Sequence, residues 1–575
     1  MNIQQILDEI INDSEKADIE HIHLLLRKKA SEYPPPENNL LKKLSDALSL
    51  HYNRGNTKQP YQPYAIFQDK RSADISDFSK EDLIAFQETV EKITNSNIKA
   101  RLLDILWLRE RNIIFAKQAI DEYIISAKKI LDYNHWVTFA EKIERAIELA
   151  LLIRRKEKNI FESITTYIKT LITEDDPLYL SARLMEILQK YDRNDAEKFY
   201  KISNSLAKKG DFTQAENYLN ICVEWARILK NDELISESLS NLAELYVDQS
   251  NTLNENNALL SAHWLQKAIE IYKSIPNSRE KRDELYKQLL IYQKESLKYM
   301  QKITTPIDLT EIINLTLSIL EPLSFDHSLI GLAYHITSTP SYEKIEKTAK
   351  KSIEEHPISK LFGAVHLDGE GRVIATTPSA MNSNAEEYSK VLDTEILRLS
   401  QMEHSYIAMG SIEPAREYLY NKFNIAEEDF LKICSYNPFI QAGQEYLYAK
   451  GLYAGFCGDY ITSTNLLSPL IENSLRYVLS QHGIEISSIN THGIQEVMLL
   501  KAILSHEKTL EIFGNDIIMD LKGILLERKY GNLRNIVAHG LGTISFYQQT
   551  VVVYFWWLVL RLCLVQTINQ QKQNK

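Results

Sequence analysis

From about Glu81 to Met300 the chain is a succession of amphipathic helical patterns with short breaks between them. Side chains at helical spacing cannot be laid onto strands, where faces alternate every second residue, so this stretch dictates helices packed on helices. The segment Arg101-Leu102-Leu103-Asp104-Ile105-Leu106-Trp107 opens one pair, which Ala116–Tyr123 continues. Ala207-Lys208-Lys209-Gly210-Asp211-Phe212-Thr213-Gln214-Ala215 reads as a helix–glycine–helix joint like those of tetratricopeptide repeats. Leu239–Val247, followed by Ala262–Ile275 and Pro276, reads as a second pair. The period is not strict, which predicts an irregular helical-hairpin solenoid. Such a fold offers a concave binding surface or a scaffold that positions its neighbours, and the fold does not choose between them.

The rest of the chain agrees with an all-α protein. Glycine and proline are scarce, 18 and 15 residues in 575, too few for the turns of a sandwich or barrel. Residues 1–76 read as an N-terminal helical segment and linker, with helices over Ile3–Ile11 and Leu40–Leu50 around Pro34-Pro35-Pro36, then a polar arm from Asn53 to Ser76. The solenoid is expected over 77–300, and a junction of helices over 301–454. One small β-hairpin is expected at 361–375, where two apolar runs flank Asp368-Gly369-Glu370-Gly371. His366 and Asp368 could be read as metal ligands, but no further ligand sits at metal-like spacing, and a satisfied hairpin accounts for them. A helical domain is expected over 455–575.

The four cysteines are far apart and read as isolated core thiols of a reducing compartment. No basic segment followed by an apolar one opens the chain, so a cytoplasmic protein is expected. The net charge of −11 argues against a chain coated with nucleic-acid-binding surface. From Ile461 to Lys575, however, ten Lys/Arg face eight Asp/Glu, a balance of +2, which leaves −13 for the remainder. Only this last part tolerates a polyanion.

That last part also holds the chemistry. Leu467, Ile471, Leu475, Val478 and Leu479 form an apolar stripe, with Glu472 and Arg476 four apart on its polar side. They read as an intrahelical ion pair or as one border of a cleft. After a His482–Gly493 loop, helices are expected over Ile494–His506 and from about Asp516 to Leu526. Then comes Arg534-Asn535-Ile536-Val537-Ala538-His539-Gly540, bracketed by Gly531 and Gly540. Asn535 and His539 share a helix face, and Arg534 lies about 100° from Asn535 around the axis. The set reads either as a surface helix capped by its own histidine or as an anion-binding cluster with a proton-transfer group. The run Val551–Val565, interrupted by Arg561, is too short for a membrane span and is expected as a buried helix or a dimer face. Phosphate-loop, dinucleotide, GxSxG and HExxH patterns are all absent, and no metal or cofactor is implied.

Arg534-Asn535, three residues, then His539-Gly540 resembles the signature of the HEPN superfamily, in the subgroup known as a domain of unknown function with an RNxxxHG motif. The order of elements over about 455–565 is similar too: the Glu472–Arg476 helix, two helices, the motif and an apolar terminal helix. Ala100–Trp107 resembles, less specifically, the helical regions that accompany this subgroup. The resemblance implies a C-terminal HEPN-type bundle acting as a metal-independent endoribonuclease, with RNA cleaved in a composite cleft of a homodimer formed through that domain. By position, His539 would be the general acid or base, Arg534 would hold the scissile phosphate, and Asn535 would orient His539 or donate to phosphate. Glu472 and Arg476 would border the substrate. Products would be 2′,3′-cyclic phosphate and 5′-hydroxyl ends, in a toxin or antiviral defence setting with a protein partner on the solenoid. The alternative is a degenerate domain that serves interaction or dimerisation.

Overall fold

Capping side chains mark where the helices of the N-terminal half begin. Asn95 accepts from the backbone N–H groups of Asn97 and Ile98 and opens Ser96–Glu110 (α1). Asn112 does the same for Ile113–Lys129 (α2), Asp211 for Phe212–Leu229 and Asn231 for Asp232–Thr252. Each such cap satisfies an orphan donor of a first helical turn. The computed structural model describes residues 5–6, 9, 19–67, 70–131, 135–176, 179–253, 257–301, 305–356, 362–380, 384–489 and 493–573. Most of the expected Ile3–Ile11 helix lies outside these residues, as does His492.

The fold is all-α, and the chain divides into two compact units, Met1–Tyr292 and Gln293–Lys575. In the first, antiparallel helices follow one another and each packs chiefly on its neighbours in sequence, as a solenoid of hairpins requires. The joint expected at Gly210 is present: Ala196–Lys209 ends on that glycine, and Asp211 caps the next helix. The second expected pair is Asp232–Thr252 with Ala258–Tyr272. The arm from Asn53 to Ser76 is not free of structure. It pairs His51–Tyr52 (β1) with Tyr61–Gln62 (β2) and Ile66–Phe67 (β3) with Lys70–Arg71 (β4), both antiparallel. Tyr61 is buried there, and its hydroxyl reaches Asp104 of α1 at 2.7 Å. The polar composition concealed a segment held by one aromatic anchor rather than by an apolar stripe.

Around that contact lies a buried charged network centred on Trp136–Ile153 (α3). Arg145 grips both carboxylate oxygens of Asp104 at 2.8 Å and donates to Glu148 at 2.8 Å, and all three side chains are at most 2% exposed. Tyr123 of α2 also donates to Asp104, and Tyr191 donates to Glu148. Glu144 takes Arg183 and Lys190. Charges at this depth are tolerated when mutually neutralised and hydrogen-bonded, as these are.

The second unit contains the expected hairpin, Ala364–Leu367 (β5) against Val373–Thr377 (β6), joined by a turn in which the Asp368 carboxylate accepts from the N–H groups of Glu370 and Arg372. Asp368 is committed to the turn, and His366 meets the Thr377 hydroxyl. Ala385–Ile407 (α4) and Tyr460–Gln481 (α5) follow. The helix expected over Ile494–His506 is replaced in part by a strand: Gln495–Val497 (β8) pairs with Ser487–Ile489 (β7), and only Leu500–Ser505 is helical. Gly493, at φ +77°, turns the chain back, and the apolar Ile494, Val497 and Leu499 are exposed rather than forming a buried stripe. Glu507–Leu525 (α6), kinked at Gly514, then leads to Leu533–Ala538 (α7) and Thr550–Gln573 (α8).

Helix α8 is the core of this unit. Every residue from Val551 to Leu560 is buried. Its polar atoms are matched inside: Trp556 and Trp557 donate to the carbonyls of Leu452 and Leu332, and Arg561 donates to Ala333 across the Tyr334 ring. The buried-helix expectation holds, and among the described residues no helix is long and apolar enough to cross a membrane.

Candidate functional site

Two backbone features place the motif. Gly531 sits so close to α6 that a Cβ there would lie 2.2 Å from the Ile524 carbonyl oxygen, so only glycine lets the chain pass. Asn532, at φ +49°, then turns it into α7. At the other end, Leu541 N–H bonds the Ile536 carbonyl at 2.9 Å and Gly540 N–H bonds that of Val537 at 3.2 Å. With Gly540 at φ +62°, this is a Schellman closure. His539 is thereby the C-cap of a helix six residues long, and its side chain stands in solvent. The helix buries Leu533; Ile536 and Val537 are half-buried rather than fully inside.

Arg534 points to α5. Its Nε donates to Glu472 at 3.4 Å, and the other oxygen of the same carboxylate accepts from Arg476 at 2.9 Å. Glu472 and Arg476 are 14% and 13% exposed, whereas Arg534 is 43% exposed. Arg476 is further committed to the carbonyl of Met498. The Glu472–Arg476 pair is thus both an intrahelical ion pair and the anchor of Arg534: its carboxylate holds one edge of the guanidinium, and the Nη groups make no hydrogen bond among the described residues. The structure brings Arg534, Glu472 and Arg476 together. Asn535 is half-buried and His539 exposed, and neither side chain joins that chain of contacts among the described residues. Five positions apart on a helix, Arg534 and His539 lie about 140° apart around the axis, and the two side chains do not touch.

Behind the motif lies a support that spacing did not disclose. Tyr530, just before Gly531, meets His404 Nδ1 of α4 at 2.6 Å, and His404 Nε2 meets Asp520 of α6 at 2.8 Å. Tyr554 of α8 donates to the other Asp520 oxygen at 2.6 Å and stacks on the His404 ring. A His404 tautomer with its proton on Nε2 satisfies every member, Tyr530 donating and Asp520 accepting. Burial first, and the Asp520 charge second, push both tyrosines above the usual phenol range, so they remain donors. Lys529 of the same turn donates to Thr377 of β6 and Thr394 of α4, with burial lowering its pKa. The same hairpin carries His366, whose pKa is also lowered, by burial and then by the Lys529 charge. Four segments distant in sequence therefore fix the turn that launches the motif. A histidine and an aspartate at buried helical positions were the only sign of it in the sequence.

His482 bonds the Val478 carbonyl, and His506 caps α6 by accepting from Lys508 N–H. Chemically, the motif presents an anchored cation, an amide and an imidazole to solvent, a set able to bind a phosphodiester and move a proton. Residues 3–160 match the family described as a domain of unknown function (DUF7380). That stretch holds Tyr61, Arg101, Asp104, Tyr123 and Arg145 and ends well before the motif. No curated protein matches the chain.

Proposed function

We propose that the C-terminal unit is a metal-independent endoribonuclease of the HEPN type. The observation that carries this reading is the anchored Arg534: one edge is fixed to Glu472, the rest is open to solvent, and an exposed His539 follows on the same short helix. In the reaction, His539 takes the proton of a ribose 2′-hydroxyl, the 2′-oxygen bonds to the adjacent phosphorus, and the P–O5′ bond breaks as the departing oxygen takes a proton from water. The products are a 2′,3′-cyclic phosphate and a 5′-hydroxyl. Arg534 binds the phosphoryl oxygens and offsets their growing charge. Asn535, one turn before His539 on its face, orients the imidazole or donates to phosphate. Glu472 and Arg476 hold Arg534 in place. The chemistry needs no metal or cofactor.

One chain offers one such set, and a second copy supplies the facing wall of the cleft. Leu541 and Ile544, 59% and 70% exposed beside His539, provide apolar surface for that pairing. The helical hairpins of the N-terminal unit offer a surface for a protein partner, and a cytoplasmic toxin or antiviral defence role suits such an enzyme. The same exposed apolar pair also favours a second reading, a non-catalytic interaction module.

Incubating wild-type protein and folded His539→Ala with mixed RNA in excess EDTA separates the two readings. Cleavage in EDTA with cyclic-phosphate ends, lost in His539→Ala, is expected. Its absence from wild-type dimer leaves the interaction reading in its place.

A further inference from the structure

The first unit contains a cavity of about 120 Å³ among β1, β2, α1, α2 and α3. Its wall carries three cations, Arg101, Lys142 and Arg145, and one carboxylate, Glu141. Three of these four are already matched. Arg145 is bound to Asp104 and Glu148, Glu141 is ion-paired with Arg54, and Lys142 donates to Asn97.

Arg101 is different. It is only 8% exposed, and among the described residues no carboxylate lies within ion-pair distance of it. Its Nη1 donates to the Leu50 carbonyl at 2.7 Å, and the guanidinium lies 4.2 Å from the centre of the Tyr61 ring. Its Nε is buried with no hydrogen-bond partner, and so is the hydroxyl of Tyr52, which also lines the cavity. A guanidinium cannot neutralise itself by losing its proton. The carbonyl and the ring face offset part of the cost of burying that charge, but neither supplies a counter-charge.

We infer that this cavity is a binding site for a small oxyanion, a phosphate or carboxylate group, held on the Nε–Nη2 edge of Arg101. That edge is the side of the guanidinium fork that takes an oxyanion through two parallel N–H···O bonds, and the Leu50 contact leaves it unused. The volume is several times what a single water requires and leaves room for such a head group. The Tyr52 hydroxyl is a further neutral donor within the wall. A cation ligand is excluded by the charge of the wall, and an apolar one by its unpartnered donors.

The test is isothermal titration calorimetry of the full chain with inorganic phosphate and, separately, with malonate, at ionic strength held constant with chloride. Saturable one-site heat is expected from at least one of the two, and a response to only one assigns the head group. Arg101→Gln should abolish it, and Tyr52→Phe should weaken it several-fold. Arg101→Lys keeps the charge and loses the fork, and should bind at least about tenfold more weakly, which gives a second reading should the glutamine variant not fold. No saturable heat from either anion with wild-type protein overturns the inference. So does binding that a folded Arg101 variant leaves unchanged.

Discussion

At the scale of single residues, the site depends on what each polar group is attached to. Arg534 is positioned by a carboxylate that is itself held by Arg476. In an RNA-cleavage assay, His539→Ala should lower the rate by about 10²-fold or more, the range for a lost proton-transfer group. Arg534→Ala should do the same by removing charge stabilisation. Glu472→Ala is a positioning change and should cost about tenfold or more while both of those side chains remain. It should also lower stability by about 1–3 kcal/mol in urea melts, since the largely buried Arg476 loses its carboxylate. The cysteines supply an independent check. Burial pushes the thiols of Cys222 and Cys434 up to about 11 and about 12 and raises that of Cys563 as well, whereas Cys457 is exposed. Native protein treated with iodoacetamide should take one label, at Cys457, by mass spectrometry, and four only after denaturation.

At the scale of elements, a six-residue helix is too short to hold itself, so its ends and its backing do that work. Gly540→Ala puts a Cβ at φ +62° and should cost about 1–2 kcal/mol through strain at the Schellman closure. Gly531→Ala should cost more, because the new methyl meets the α6 backbone, and both changes should lower cleavage by moving His539 or Arg534. Thermal melts beside activity assays check both. Much of this element was legible in advance: two glycines around an Arg–Asn–His spacing mark a short, sharply ended helix. The support through Tyr530, His404, Asp520 and Tyr554 was not, because it joins residues up to 150 positions apart whose spacing carries no local period. Nor was β8, where the apolar residues that suggested a helix are exposed instead.

At the scale of the whole molecule, each unit has its own hydrophobic core, one around α3 and the other around α8. Calorimetry should therefore show two separable unfolding transitions. Asp104→Ala leaves Arg145 buried with only Glu148 and should lower one of them by about 3–5 kcal/mol. Trp557→Ala opens the centre of the other core and should lower the second by a similar amount, about 3–5 kcal/mol. A single cooperative transition shifted by both changes would contradict independent cores. The sequence by itself determined the all-α class, the hairpin joints, the buried terminal helix and the positions of Arg534, Asn535 and His539. These follow from period, glycine placement and residue chemistry, which act over a turn or two of chain. Only the tertiary structure decided that Glu472 binds Arg534 and Arg476 at once, that the Asn53–Ser76 arm seats Tyr61 on Asp104, and that Arg101 is buried without a counter-ion among the described residues. Those outcomes depend on which charges meet once the helices pack, and a buried charge selects its partner by distance in space rather than along the chain.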